Sequence, residues 1–279
     1  MESPDKHKHK PQELDEMIAD RVLRRIASER KLPLDLIERD FALGWMLKGV
    51  TACSLRNKLI FKGGTALSKI YFPFDWRVSE DLDFTLSNNA TLEEVSRTLL
   101  DELPGIVEEV SGGIILNFKD KPFINPGFLR ARVQFNGPIS RNTIKIEVTK
   151  EDFIGEYHTI EVPQTYDYSK FHLLSYTLNN ILAEKLRSLI ERTRIRDHYD
   201  SWRLLKLNTV EETRVKELFL KKCEGKGIAF HNFNQFFPDN VIETLEPYLD
   251  TLTRLTAEPL PSLNEIIDDL RKNLETMFE

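Results

Sequence analysis

The spacing of apolar residues changes twice along this chain, and that change limits the folds open to it. From Gln12 to about Ala52 the apolar positions recur every three or four residues, as in Met17, Ile18, Val22, Leu23 and Ile26, the pattern of amphipathic helices. Pro33 stands early in a second periodic segment, where its fixed φ suits a helix start. Between Leu59 and Val148 the period drops to two. Leu59-Ile60-Phe61 is a short apolar run that ends at Gly63-Gly64, and Leu82, Phe84 and Leu86 alternate with Asp81, Asp83 and Thr85. Leu129, Ala131, Val133 and Phe135 alternate with Arg130, Arg132 and Gln134, and Ile144, Ile146 and Val148 with Lys145 and Glu147. These predict strands of one mixed sheet, interrupted by a helix around Leu92 to Leu103. After Pro163 helical spacing returns, through Leu178 to Leu205, Glu211 to Cys223, Val241 to Leu252 and Leu263 to Met277. The fold class expected is α+β: a sheet domain with N-terminal helices over residues 1–165, followed by a helical domain over 166–279.

A chain of 279 residues with 41% hydrophobic residues can bury cores for two such parts. Its formal charge of −6 argues against indiscriminate nucleic-acid binding, so any such contact must be local. Cys53 and Cys223 are too few for a disulfide framework and fit a reducing compartment. The start of the chain has no apolar core of a secretory signal, and no apolar run approaches the roughly 20 residues that span a bilayer. A cytoplasmic protein without membrane contact is expected. The alternation His7-Lys8-His9-Lys10 reads as a solvated tail rather than a metal site.

The chemistry concentrates in Lys62-Gly63-Gly64-Thr65-Ala66-Leu67 and Arg77-Val78-Ser79-Glu80-Asp81-Leu82-Asp83-Phe84. Two glycines at a strand end let backbone N–H groups approach a phosphate, and the helix that follows points its positive end at the same anion, so Gly63, Gly64 and Thr65 suit a triphosphate. Asp81 and Asp83 at i and i+2 of a strand leave one face and can share one or two hard cations through oxygen. Mg²⁺ is the expected ion, with Mn²⁺ as the substitute. Glu147, of opposite parity to Ile144, Ile146 and Val148, is the best third carboxylate for a two-cation site. An Asp-x-Asp or a Gly-Gly alone is usually a turn or a solvated face. Their combination in strand, turn, helix and strand points to phosphoryl chemistry. Farther on, Lys185 and Arg192 are seven residues apart on a predicted helix; beside a triphosphate they supply a phosphate ligand and a second cation.

These segments resemble the AbiEii/AbiGii-type nucleotidyltransferases, toxins of toxin–antitoxin and abortive-infection systems. The likeness spans roughly Lys58 to Leu205 and is carried by Lys62 to Leu67, Arg77-x-Ser79-x-Asp81-Leu82-Asp83-Phe84, the Lys185 to Arg192 helix, and Arg196-Asp197-x-Tyr199-Asp200. It implies a polymerase-β-like catalytic domain followed by a helical domain, with the active site between them. It further implies that Lys62, Gly63, Gly64, Thr65, Ser79 and Arg192 bind the nucleotide, that Asp81 and Asp83 hold the metal, that Lys185 binds phosphate, and that Asp197 or Asp200 is a late catalytic acid. Where a third metal-binding Asp is expected, this chain has Glu147, whose longer side chain still reaches.

The activity this implies is transfer of a nucleotide from an NTP to an acceptor such as the tRNA 3′ end, with a cognate antitoxin as partner. Arg187, Arg194, Arg196, Arg203 and Lys206 form a local excess of cations that could follow an RNA backbone. Two other classes stand beside this one: a nucleotide-binding interaction module without turnover, and a two-metal nuclease.

Overall fold

A computed structural model describes the backbone from Pro11 to Glu279 and the side chains from Ala19; the His7 to Lys10 tail lies outside the described residues. Two helices, α1 (Pro11–Arg30) and α2 (Leu34–Ala52), lead into strand β1 (Leu59–Lys62). A short α-helical turn, α3 (Gly63–Ala66), runs on as a π-helical turn over Leu67–Tyr71 before β2 (Asp81–Leu86). Helices α4 (Leu92–Asp101) and α5 (Leu103–Ser111) follow. Six strands come next: β3 (Ile115–Phe118), β4 (Phe123–Asn125), β5 (Phe128–Asn136), β6 (Arg141–Thr149), β7 (Tyr157–Val162) and β8 (Phe171–Tyr176). The remainder is helical: α6 (Leu178–Glu191), α7 (Ile195–Lys206), α8 (Glu212–Glu224), α9 (Val241–Leu245), α10 (Leu249–Thr253) and α11 (Leu263–Phe278).

All eight strands join one sheet in the order β3-β5-β6-β2-β1-β8-β7, with β4 paired to the same edge of β5 as β3. β2 runs parallel to β6 and β1 parallel to β8, while the other pairings are antiparallel, so the sheet is mixed. The alternation of residue types decides which face is buried. Leu82 and Phe84 of β2, Ile146 and Val148 of β6, and Leu129 and Ala131 of β5 are all buried in one core. The intervening residues Asp81, Asp83, Lys145, Glu147 and Arg130 stand on the opposite face, because strand side chains alternate. Register sets their neighbours: Asp81 lies beside Lys145, and Asp83 beside both Glu147 and Lys62.

Helix α2 steadies this arrangement from behind. Its buried Glu38 accepts from the N–H groups of Ile139 (2.8 Å) and Ser140 (2.9 Å), fixing the β5–β6 turn. Its Asp40 pairs with the buried Lys69 at 2.8 Å and accepts from the Tyr166 hydroxyl at 2.7 Å. Both acids spend their charge on the scaffold.

Besides strands β3, β4 and β7, which the spacing does not predict, three stretches differ from the sequence expectation. The helix expected around Leu92 to Leu103 is α4, and a further helix that the spacing does not predict, α5, follows it directly, with Pro104 tolerated in its first turn because no interior N–H is needed there. Strand β8 falls in a stretch expected to be helical, so the sheet continues to Tyr176. Its inward Phe171, Leu173 and Ser175 include a polar residue, which blurs the period-two signal; Ser175 Oγ donates to Phe61 O across the pairing with β1. The Val241 to Leu252 segment is broken near Pro247 into α9, a 3₁₀ turn over Glu246–Tyr248, and α10.

Candidate active site

The polar face of β1, β2 and β6 opens onto a cavity of about 770 Å³, closed on the other side by α6, α7 and the α9–α10 segment. Lys62, Gly63, Gly64, Thr65, Ser79, Asp81, Asp83, Glu147, Lys185, Arg192 and Asp197 all line it. Residues separated by more than a hundred positions therefore meet in one place. Of the expected site residues only Asp200 is not on its wall.

The two glycines are required by close approach. Gly63 adopts φ +77°, and a Cβ there would stand 2.9 Å from Asp83 Oδ2. A Cβ on Gly64 would stand 2.4 Å from Arg77 Nη2 and 3.2 Å from Ser79 Oγ. The turn thus packs directly on the acid-bearing strand and its lead-in, and Thr65 Oγ1 ties the two together by donating to Asp81 O.

The acids are not alone. Lys145 Nζ lies 3.2 Å from Asp81 Oδ2 and 3.5 Å from Glu147 Oε1, and Arg130 Nε lies 2.8 Å from the same Glu147 oxygen. Among the described residues Asp83 has no cationic partner at ion-pair distance. Burial, and then the like charges of Glu147 and Asp81, push its carboxyl up to about 6. Among the described residues no three Asp, Glu, His or Cys side chains form a ready-made cation cage, and Glu147, beside Asp83 in register, is engaged by Lys145 and Arg130. A pair of hard oxygen donors left with excess negative charge nevertheless suits Mg²⁺ or Mn²⁺, which take one or two carboxylates and complete their shells with water and substrate phosphate.

A second group of charges faces the acids. Helix α6 ends at Glu191, so Arg192 stands just past it in extended backbone rather than on the face of Lys185. The two converge all the same on Asp197: Lys185 Nζ–Oδ1 is 2.7 Å and Arg192 Nε–Oδ2 is 3.1 Å. Asp200 is fully buried and clamps Arg77 through Nε (2.8 Å) and Nη2 (2.7 Å), while also meeting Lys185 Nζ at 3.0 Å and Trp76 Nε1 at 3.1 Å. Burial alone would raise its pKa, but Arg77 and Lys185 prevail and hold it down at about 2. The two late acids therefore differ in place: Asp197 at the wall, Asp200 behind it.

The profile of the family described as "Nucleotidyl transferase AbiEii toxin, Type IV TA system" matches residues 45–277, which takes in every one of these groups. The chain belongs to this AbiEii family. It is a nucleotidyltransferase toxin of the type IV toxin–antitoxin class, and membership implies a nucleotide substrate and an antitoxin counterpart. Its fold is similar to that of MenT4, a nucleotidyltransferase toxin from Mycobacterium tuberculosis H37Rv (TM-score 0.71, 19% identity, covering 92% of this chain and 89% of that one). It is also similar to JHP933 from Helicobacter pylori (TM-score 0.55, 19% identity, 88% and 93%). No curated protein matches the sequence. This AbiEii member shares its α+β architecture, built on one mixed sheet, with the MenT4 toxin. No helix among the described residues is long and apolar enough to cross a membrane.

In this AbiEii chain several charges have partners that the sequence does not reveal. Lys62 reaches the cavity, yet its ammonium is held by Glu184 at 2.9 Å and donates to Thr149 Oγ1 at 2.8 Å. Arg187 is buried against Glu151 and Glu191, so it is not an exposed RNA contact. Arg203 lies over the rings of Trp76 and Tyr199 and bonds the Tyr199 hydroxyl at 2.7 Å, and Lys206 lies over Trp202; neither lines the cavity. Arg194 and Arg196 do line it. The sequence pattern assigns no role to Lys145, although its parity with Glu147 is a usable signal, nor to Lys226 and Tyr248, for which it holds none.

Proposed function

We propose that the cavity binds an NTP together with a divalent cation and transfers its nucleotidyl group to a hydroxyl of an RNA acceptor, with the 3′ end of tRNA the first acceptor to test. The observation that carries this is the convergence of the Gly63–Thr65 turn, the Asp81–Asp83 pair and the Lys185–Arg192–Asp197 group on one cavity. We assign the N–H groups of the turn to the phosphates, where no Cβ intervenes. Asp81 and Asp83 would hold the cation, with Glu147 reaching it once Lys145 moves aside. When bound, such an ion supplies charge neutralisation and lowers the pKa of an attacking hydroxyl.

The rest is the chain's own work. Lys185 and Arg192 present fixed positive charge where negative charge grows on the departing pyrophosphate, as a bond forms from acceptor oxygen to the α-phosphorus and the bond to the β-phosphate bridge breaks. Asp197 orients both cations, and Asp200 acts at one remove by fixing Arg77 against Gly64. Lys62 braces the turn through Glu184 rather than touching phosphate. In this reading the sheet with its N-terminal helices supplies the metal and phosphate sites and the helical half supplies the cations, the joint lying at Thr177, between β8 and α6.

The test is to incubate the protein with each labelled NTP, Mg²⁺ and total RNA. Label is expected on one RNA class, and Asp81→Ala or Asp83→Ala is expected to abolish it while leaving the fold intact. Shortened, unlabelled RNA would show a nuclease instead, and an Asp81→Ala protein that stays toxic would show a binding module.

A further inference from the structure

The cavity wall is mostly charged or polar, which suits phosphates, and a nucleobase needs a flat face besides. Three aromatic side chains line it: Phe84, Tyr176 and Tyr248. The first two are 2% and 0% exposed, whereas Tyr248 is 54% exposed. Tyr248 belongs to a nearly continuous helical run through α9, the Glu246–Tyr248 turn and α10. Within that run Leu245 and Leu252 are fully buried, while Thr244, Tyr248 and Thr251, spaced by four and three, form the stripe that faces the cavity.

The position is built, not incidental. The run is tied to the acid-bearing segment by a backbone hydrogen bond from Val78 N to Leu255 O, 2.8 Å. Thr251 Oγ1 donates to Tyr248 O at 2.6 Å and steadies the backbone beneath the ring. Among the described residues no hydrogen bond to the phenol, no aromatic contact and no cation over the ring occupies Tyr248, although most other cavity groups are paired. A flat, amphipathic ring with a free face, lining the same cavity as the Gly63–Thr65 turn, matches a base π-face.

We propose that Tyr248 is a stacking platform for a nucleobase, an inference that rests on reading the cavity as the NTP site. The base belongs either to the incoming NTP or to the terminal nucleotide of the acceptor, and binding measurements separate the two. Wild type, Tyr248→Ala and Tyr248→Trp are titrated in Mg²⁺ with each of the four NTPs and with inorganic triphosphate, which has no base. Tyr248→Ala is expected to bind triphosphate like wild type but to lose roughly thirtyfold in NTP affinity, the middle of the range for one base–aromatic stack, with Tyr248→Trp retaining it. In a second arm, a short single-stranded RNA is compared with the same RNA abasic at its 3′ terminus. If NTP affinity holds while Tyr248→Ala no longer distinguishes these two RNAs, the stacked base is the acceptor's. Unchanged discrimination in both arms overturns the assignment. Wild type that binds neither triphosphate nor NTP overturns the NTP-site reading, and this inference with it.

Discussion

Asp83 is held ionised at neutral pH against its surroundings. Its folded pKa of about 6 lies above the ordinary 3.8, so the folded state binds the proton more tightly than the unfolded chain does. Stability therefore falls as pH rises from about 4 to about 6, and above that the ionised carboxylate costs roughly 3 kcal/mol at most. Asp83→Asn is expected to raise the melting temperature by about 2–6 °C at pH 7.5 in chelator, with the gain fading towards pH 4. The same variant should not transfer nucleotide. Thermal melts at both pH values check this, and a lower melting temperature at pH 7.5 would show that Asp83 stabilises the fold. Asp200 has the opposite sign. Its folded pKa is depressed to about 2, so its contribution is complete above about pH 4 and is lost as pH falls towards 2. Asp200→Asn leaves the buried Arg77 without its counter-charge and should cost about 3–5 kcal/mol at pH 7. Urea denaturation at pH 7 and pH 3 should show the gap between wild type and variant narrowing at the lower pH.

Among elements, the legible part of the fold is the part that local periodicity carries. Strands β2, β5 and β6 alternate cleanly because one face is core and the other is the charged cavity wall, so parity alone singles out Asp81, Asp83 and Glu147. Strands β7 and β8 give no such signal: β7 is an edge strand with most residues exposed, and β8 carries Ser175 inward. What no periodicity reveals is which charges find each other. Lys62 with Glu184, Arg77 with Asp200 and Lys145 between Asp81 and Glu147 are set by register and helix placement, which local spacing does not encode. The Gly63–Gly64 turn is legible as a turn, but not the reason for it, which is the 2.4 Å approach of Arg77 to the missing Cβ. Since Asp200 clamps that guanidinium, it cannot easily retreat. Gly64→Ala is accordingly expected to cost about 1–3 kcal/mol of stability and to weaken NTP binding by more than Asp200→Asn does. Paired denaturation and NTP titration decide this; an Ala variant with unchanged NTP affinity would remove the turn from the phosphate site.

At the scale of the whole molecule, a chain of net charge −6 must attract RNA locally or not at all. The structure divides the cations of the helical half into two sets. Arg203 and Lys206 are spent on aromatic faces away from the cavity. Arg192, 47% exposed, and Arg194, exposed and without an ion-pair partner among the described residues, stand at the cavity wall beside Arg196. If an acceptor strand enters there, its phosphates displace counterions at these arginines, and log affinity falls linearly with log salt. Replacing Arg192 and Arg194 with Gln should lower tRNA affinity and reduce the magnitude of that slope by roughly 0.7 to 0.9 for each phosphate no longer neutralised. Arg203→Gln with Lys206→Gln should leave the slope unchanged, whatever it does to stability by removing the cations stacked on Trp76 and Trp202. Filter binding of tRNA at several salt concentrations compares the two double variants directly. A slope that drops for the Arg203–Lys206 pair and not for Arg192–Arg194 would move the acceptor track to the outer face of α7. A slope unchanged in both would move it along the sheet to β5, where Arg130 and Arg132 stand in register with Glu147 and Lys145 on the same face.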